Sequence, residues 1–344
     1  MQNKREMYLK RKVIIRYCML ITVLIIGCAG PRVMAPQVMT PQVPSARFPS
    51  FVAVTVQDGD TLSSLASGYL NDSSKDWLIS DFNDVSSISP GQKLIIPLKY
   101  YDRGGLTLKG YQTVPILSYH KFSESKADKM TVTASAFEEQ MKLLVDKGYR
   151  VITLDQLFDF LDYKIQIPRK SVVITIDDGW RSTYSIAFPI LKKYRYPATL
   201  FIYSDLITGT KKTLDWDLIN EMAGNGIDIQ CHTKSHRSLT SPAEKESFRE
   251  YYDAIEQDLL DAAKTIKVKT NKDVKYLAYP FGNTNHLVIA LLKRQGYRGG
   301  LTVKRDGNAV FVNDYRVNRS MIYGDFDLSQ FEKSLVVLAE EALR

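Results

Sequence analysis

The sequence predicts an α/β fold, and three observations carry the prediction. From about residue 112 to 336, short apolar runs alternate with amphipathic stretches at helical spacing, the pattern of a parallel sheet or barrel covered by helices. The runs, such as Ser-Val-Val-Ile-Thr-Ile at 171–176, read as buried strands. Chemically versatile side chains fall directly after several of them, where function gathers in such folds. The segment is long enough to bury one substantial core.

Ahead of it the chain begins with Lys4, Arg5, Lys10, Arg11, Lys12 and Arg16, an apolar run at 17–26, and Gly27-Cys28, the layout of an export signal. The run is too short to cross about 30 Å of hydrocarbon comfortably. Leu24-Ile25-Ile26-Gly27-Cys28 resembles a bacterial lipobox, which implies cleavage before Cys28, its lipidation, and residence in the cell envelope on a membrane. Ala29 supplies no inner-membrane retention aspartate, so the outer membrane is favoured in a two-membrane host. Losing residues 1–27 removes six basic side chains and Glu6, and the formal charge falls from +8 to +3. With no clustered basic face evident, nucleic acid is not an expected partner. Of three cysteines, Cys18 leaves with the signal and Cys28 carries lipid, so Cys231 has no partner for an intramolecular disulfide.

Residues 28–50 hold five prolines between Pro31 and Pro49 and no periodicity, which reads as an extended tether reaching roughly 3 Å per residue. Residues 51–99 form a separate small unit. Val52, Val54 and Val56 alternate as a strand; Asp58-Gly59 turns; Asp60 or Thr61 caps a helix bearing Leu62, Leu65, Ala66 and Tyr69. A second helix around 77–82 ends near Asn83, and Ser89-Pro90-Gly91-Gln92 turns into a closing strand at 93–97. Val-Gln-Asp-Gly-Asp-Thr-Leu…Asn…Pro-Gly-Gln-Lys-Leu-Ile-Ile-Pro resembles a lysin motif (LysM) over the whole unit. The resemblance implies a βααβ fold and a groove for N-acetylglucosamine-containing glycans, lined by Gly59, Asp60 and Thr61 and by the loop from Asp84 to Ile88.

After a Gly-rich joint within residues 100–111, the large domain, 112–344, is expected to place strands at 114–119, 171–176, 198–203, 227–230, 275–279 and 299–303. Helices are expected at 135–147, 154–161, 183–194, 215–223, 243–265 and 285–295. Asp177-Asp178 follows one strand, His232 another, His120 a third, and Pro280-Phe281-Gly282 a fourth, so four strand ends present one candidate site. The chain has only four histidines, and two of them, His232 and His236, share one five-residue window. Two adjacent carboxylates with two imidazoles suit a metal-activated water: a small ligand set and a nearby base. Taken singly, each is also ordinary cap or loop chemistry.

Thr-Ile-Asp-Asp-Gly at 175–179, His-Thr-Lys-Ser-His at 232–236, and the Tyr119-His120 strand followed by Phe137-Glu-Glu-Gln140 together resemble the polysaccharide deacetylases, carbohydrate esterase family four, in their circularly permuted Tyr-His subgroup. The resemblance covers roughly 110–325 and implies a distorted (β/α) barrel. It implies Asp177 as catalytic base, and Asp178, His232 and His236 as ligands of a divalent metal, with zinc expected. His120 becomes the general acid, and a backbone N–H at Phe281 an oxyanion donor. Pro280 and Tyr279 join it in a substrate wall, with Asp215-Trp216 standing in for an acidic and aromatic wall motif. One departure is Leu277, where the family's third motif carries an arginine that orients the base. His286 reads as structural, and Cys231 as a buried, inert thiol, since strand neighbours point to opposite faces.

The function so implied is removal of N-acetyl groups from an envelope polymer of N-acetylglucosamine, either peptidoglycan or poly-N-acetylglucosamine. Two others stay open: a non-catalytic glycan-binding lipoprotein, motivated by Leu277 and by the lack of a histidine after His286 to match the C-terminal Leu-x-His element of many members, and an esterase removing O-acetyl groups with the same residues.

Overall fold

The computed structural model describes residues 46–341; the expected export signal, Cys28 and most of the Pro-rich stretch lie outside them. The LysM unit pairs two antiparallel strands, Phe51–Thr55 and Lys93–Pro97, over helices Leu62–Leu70 and Asp76–Asn83. Strand alternation buries Val52 and Val54 against Leu65, Ala66, Ile79, Leu94 and Ile96. Thr61, not Asp60, is the helix cap: its Oγ1 accepts from the Ser64 N–H at 3.0 Å, while Asp60 accepts from Gln57 N–H at 2.7 Å. Asn83 stitches helix to sheet, its amide giving to Ile95 O at 2.7 Å and taking from Ile95 N–H at 2.9 Å.

In the large domain the strands run, in spatial order, Gly299–Leu301, Tyr276–Ala278, Ile227–Cys231, Ala198–Ile202, Ser171–Asp178, Ile116–Tyr119 and Ser320–Met321, all parallel. The segment before the last strand closes the ring. Val317 bridges Leu301 on one side, its N–H bonded to Gly300 O at 3.0 Å, and three residues later Ser320 pairs with Leu117 on the other. A parallel sheet thus becomes a barrel through a stretch of irregular chain that no strand pattern in the sequence announces.

Two cores result. Val172, Ile174 and Ile176 point outward and pack under helices such as Ala134–Asp146 and Phe248–Thr270. Val173 points into the lumen with Val114, Ile116, Phe201, Tyr276 and Leu301, closed at the foot by Leu157, Phe158 and Phe160 of helix Leu154–Leu161. The period of two along the strand decides which residues face the lumen, and Asp177 is among them.

Residues 100–111 are more than a joint. Leu106–Thr107 and Gly110–Gln112 form an antiparallel sheet with Leu338–Glu340, so this stretch is fastened to the end of the large domain. The LysM unit meets the foot of the barrel. Arg150 grips both Asp76 oxygens at 2.9 and 2.8 Å, and the Arg169 N–H donates to Asp81 at 3.0 Å. Both arginines lie where strands begin, at the end opposite the candidate site.

Candidate active site

Strand Ser171–Asp178 carries Asp177 to the mouth of the lumen, 1% exposed. Arg319, fully buried in the closing segment, meets it with a fork: Nη1 to Oδ1 at 2.7 Å and Nη2 to Oδ2 at 2.8 Å. Arg319 is itself fixed by Nε to Thr302 O at 3.0 Å. Burial alone would raise the Asp177 pKa, but Arg319, with His232 and His120 adding to it, holds the carboxyl at about 2. The cation that Leu277 does not supply therefore arrives from elsewhere in the chain. Its only signal in the sequence was an arginine lodged among Val317, Met321 and Ile322.

Asp178 leaves the strand with φ of 83° and turns toward His232 and His236. Their Nε2 atoms are 3.2 Å apart and lie 3.8 and 3.7 Å from Asp178 Oδ1. Bonds of about 2.0–2.2 Å from each donor to one central ion span such separations, so the three residues fit a divalent metal with an open side. The His232 Nδ1–H donates to Ala278 O at 2.7 Å, which leaves Nε2 free as a ligand atom. Burial pushes the His232 pKa down to about 4, against the pull of Asp177 and Asp178, so the ring is neutral at neutral pH.

The histidine turn is strained and braced. Thr233 and His236 have φ of 73° and 59°, and Phe281 has 60°; with Asp178 these are four of the ten positive-φ residues other than glycine among the described residues, and several of the rest are helix C-caps. Asp258, buried on helix Phe248–Thr270, accepts from the Lys234 N–H at 2.7 Å and the Ser235 N–H at 3.1 Å, and so sets the spacing of the two histidines. The His236 ring sits between Tyr203 and Phe281, each 5.0 Å from it by centroid. Trp180 Nε1–H donates to Asp178 Oδ2 at 2.8 Å and orients that carboxylate. Sequence reasoning missed both Asp258 and Trp180, although an aspartate on an apolar helix stripe and a tryptophan two residues past Asp178 were there to be read.

His120 lies at the same mouth, its Nε2 4.0 Å from Asp177 Oδ2. Its neighbour Tyr119 is buried and donates to Gln140 at 2.8 Å, which physically couples the Tyr-His strand to the Phe137–Gln140 stretch. Phe281 is 62% exposed beside His236, and its backbone N–H makes no hydrogen bond among the described residues.

One wall residue needs correction. Tyr279 is buried, with its hydroxyl donating to Tyr315 O at 2.9 Å, so it supports the turn from the core and offers no surface to a substrate. Trp216 is the first residue of helix Trp216–Ala223, half-buried against the outer core, and the indole hydrogen-bonded to Asp178 is Trp180. Pro280 is buried within the turn that presents Phe281. Cys231 is buried on the outer-core face, its thiol pushed up to about 12, and His286 is exposed on helix His286–Arg294. In the LysM unit Gly59 and Asp84 take positive φ at their turns, Ile88 packs against that unit's core, and the exposed Asp84 carboxylate is 3.4 Å from Arg169.

Fold and site together define a barrel hydrolase with a metal-type ligand triangle beside a separate, arginine-held carboxylate. Comparison with known proteins agrees. The polysaccharide deacetylase family profile matches residues 164–300 and the LysM domain profile residues 54–97. YxkH of Bacillus subtilis (strain 168), named for polysaccharide deacetylation, is 31% identical over 215 residues, 60% of this chain and 72% of its own. The poly-beta-1,6-N-acetyl-D-glucosamine N-deacetylase of Staphylococcus aureus (strain MRSA252) is 30% identical over 240 residues, 66% of this chain and 82% of its own. Among solved structures, a de-N-acetylase from Aggregatibacter actinomycetemcomitans superposes with a TM-score of 0.59 at 25% identity over 64% of this chain and 99% of that one. The Streptococcus pyogenes deacetylase PplD shares the fold at TM-score 0.59 and 23% identity, over 65% and 98%. The chain belongs to the polysaccharide deacetylase family and carries an N-terminal LysM domain.

Proposed function

We propose that the protein is a metal-dependent N-deacetylase of an N-acetylglucosamine-containing envelope polysaccharide, anchored through lipid on Cys28 and held on its glycan by the LysM domain. The observation that carries the reading is the division of labour between two adjacent carboxylates: Asp178 inside the donor triangle, Asp177 outside it in the grip of Arg319.

A divalent cation, zinc by its ligand types, supplies Lewis-acid polarisation of the acetamide and an acidified water when bound. Asp177 accepts the proton from the attacking water at Oδ2. A carboxylate held near 2 does not keep a proton, and His120 Nε2, 4.0 Å from the same oxygen, is placed to deliver one to the departing amine. The unbonded Phe281 N–H donates to the oxygen that gains charge, and Tyr203 and Phe281 shield the His236 side from water. Both candidate polymers present the same acetamide: the S. aureus relative is named for the β-1,6-linked one, and LysM domains suit peptidoglycan.

The missing arginine and the missing C-terminal histidine motivate a non-catalytic reading; Arg319 on Asp177 and His120 at the same mouth weigh against it. The test is acetate release by Asp177→Asn and His232→Ala. Both are expected to be inactive while circular dichroism and LysM glycan binding stay unchanged; ordinary turnover in either would sink the assignment.

A further inference from the structure

Beside the ligand triangle, on the far side of Trp180, lies an open pocket of about 420 Å³ lined by Lys121, Trp180, Arg181, Ser182, Lys211 and Lys212, with Phe122, Thr131 and Ser185. Four of its nine lining residues are cationic and none is acidic. The sequence hid this cluster, because Lys121, Arg181 and the Lys211-Lys212 pair come from three stretches of chain far apart in sequence. The backbone holds them together: Arg181 N–H donates to Lys212 O at 2.9 Å, Leu214 N–H to Gly179 O at 3.0 Å, and the Phe122 N–H to Ser182 Oγ at 3.0 Å. The Lys121 ammonium lies 4.1 Å over the Trp180 ring. Arg181 has one weak acidic neighbour, Asp215 at 3.7 Å, and Asp128 is the acid within electrostatic reach of Lys121. No carboxylate pairs with Lys211 or Lys212 among the described residues.

The pocket borders the site at Trp180. Trp180 links it to the ligand Asp178 by one hydrogen bond, and Lys121 follows His120 directly. A polymer crossing Trp180 from the triangle would bring a neighbouring sugar against these cations. This placement matters for substrate class, because each turnover converts a neutral acetamide into an ammonium. On a homopolymer of N-acetylglucosamine the enzyme would push its own cationic product against a cationic wall. On a chain whose neighbouring sugars carry carboxylates, the same wall attracts substrate and offsets the new charge.

We propose that this pocket is a subsite for a carboxylate borne by the sugar adjacent to the reacting one, so that the polymer acted on is an anionic glycan such as one bearing lactyl ethers. The proposal rests on the deacetylase reading above and deepens it.

The test compares the full chain with a Lys211→Glu/Lys212→Glu variant, using two β-1,4 tetrasaccharides that differ only in charge. One alternates N-acetylglucosamine with N-acetylmuramic acid as the free acid, and the other carries the lactyl groups as methyl esters. The ratio of kcat/KM for acid over ester is expected to exceed one in the parent and to fall about tenfold in the variant, through KM rather than kcat. A control of equal charge change, Lys264→Glu/Lys272→Glu, should keep the parent's ratio. An unchanged ratio in the pocket variant, or an equal fall in the control, overturns the subsite. Calorimetric binding of the same two probes provides a second reading. If neither probe yields acetate, binding decides: a preference for the free acid that is lost in the pocket variant alone supports the subsite, and no such preference refutes it, while the deacetylase reading stands or falls separately on acetate release from the β-1,6-linked polymer.

Discussion

Replacing Arg319 with methionine keeps much of the side chain's length and removes the guanidinium from Asp177. Without it, burial is the largest influence left on the carboxyl, so its pKa should climb from about 2 to above its ordinary value of 3.8. That rise is at least roughly two units, or about 2.5 kcal/mol at neutral pH, and breaking a buried pair typically costs about 3–5 kcal/mol. A melting temperature lower by about 5–15 °C at pH 7 follows for a domain of this size. The sign with pH is specific. In the parent, the depressed pKa contributes stability above the unfolded value, and this is lost as pH falls through about 2. In the variant, the raised pKa means that ionising Asp177 opposes folding, so the deficit should be largest at neutral pH and shrink toward pH 4. Thermal denaturation from pH 4 to 7.5 measures this, together with the acid limb of kcat/KM, which should move upward into that range. Adding Asp177→Asn to Arg319→Met should recover part of the lost stability. A deficit that does not vary with pH, or an acid limb that does not move, would refute the reasoning.

Other predictions follow from the same site. Asp258→Ala leaves the Lys234 and Ser235 amides without their acceptor and frees the histidine turn, so zinc affinity measured by competition with a chromogenic chelator should fall about 10–100-fold, whereas Asp258→Asn should lose less. His120→Gln should lower kcat on N-acetyl glycans about 10²–10⁴-fold but cost far less on an aryl acetate, whose leaving group needs no proton; equal losses on both would remove His120 from the acid role. Trp180→Phe loses the hydrogen bond to Asp178 and should weaken zinc binding while the melting temperature changes little.

Much of this architecture could be read from residue pattern because the relevant physics is local. Helix Leu154–Leu161 begins and ends where its apolar spacing and Thr153 cap require, and the continuous apolar run at 171–176 is a strand whose alternation carries Asp177 to the lumen. Errors arose where local chemistry competes. The long helix starts at Phe248 rather than 243, because Ser247 and Glu250 form its capping box while Glu246 ties the preceding turn to Ala243 and Arg237. The stretch at 183–194 begins as a wider π-type turn, Thr183–Ala187, before becoming α-helix. What could not be read is long-range. Arg319 reaches Asp177 across 142 residues because an irregular segment closes the barrel, and no periodicity encodes that return. The cationic pocket is hidden for the same reason: its lysines and its arginine become neighbours only when three distant stretches of chain meet.

The central claim, deacetylation by a site built from Asp177, Asp178, His232 and His236, is tested most directly by acetate release from peptidoglycan strands and from β-1,4- and β-1,6-linked N-acetylglucosamine oligomers. The assay is run as purified, after chelation, and after zinc is restored. Release that stops with chelator and returns with zinc on at least one polymer is the predicted result. Zinc bound at the triangle with no acetate from any of them, while the LysM domain still binds glycan, would contradict it.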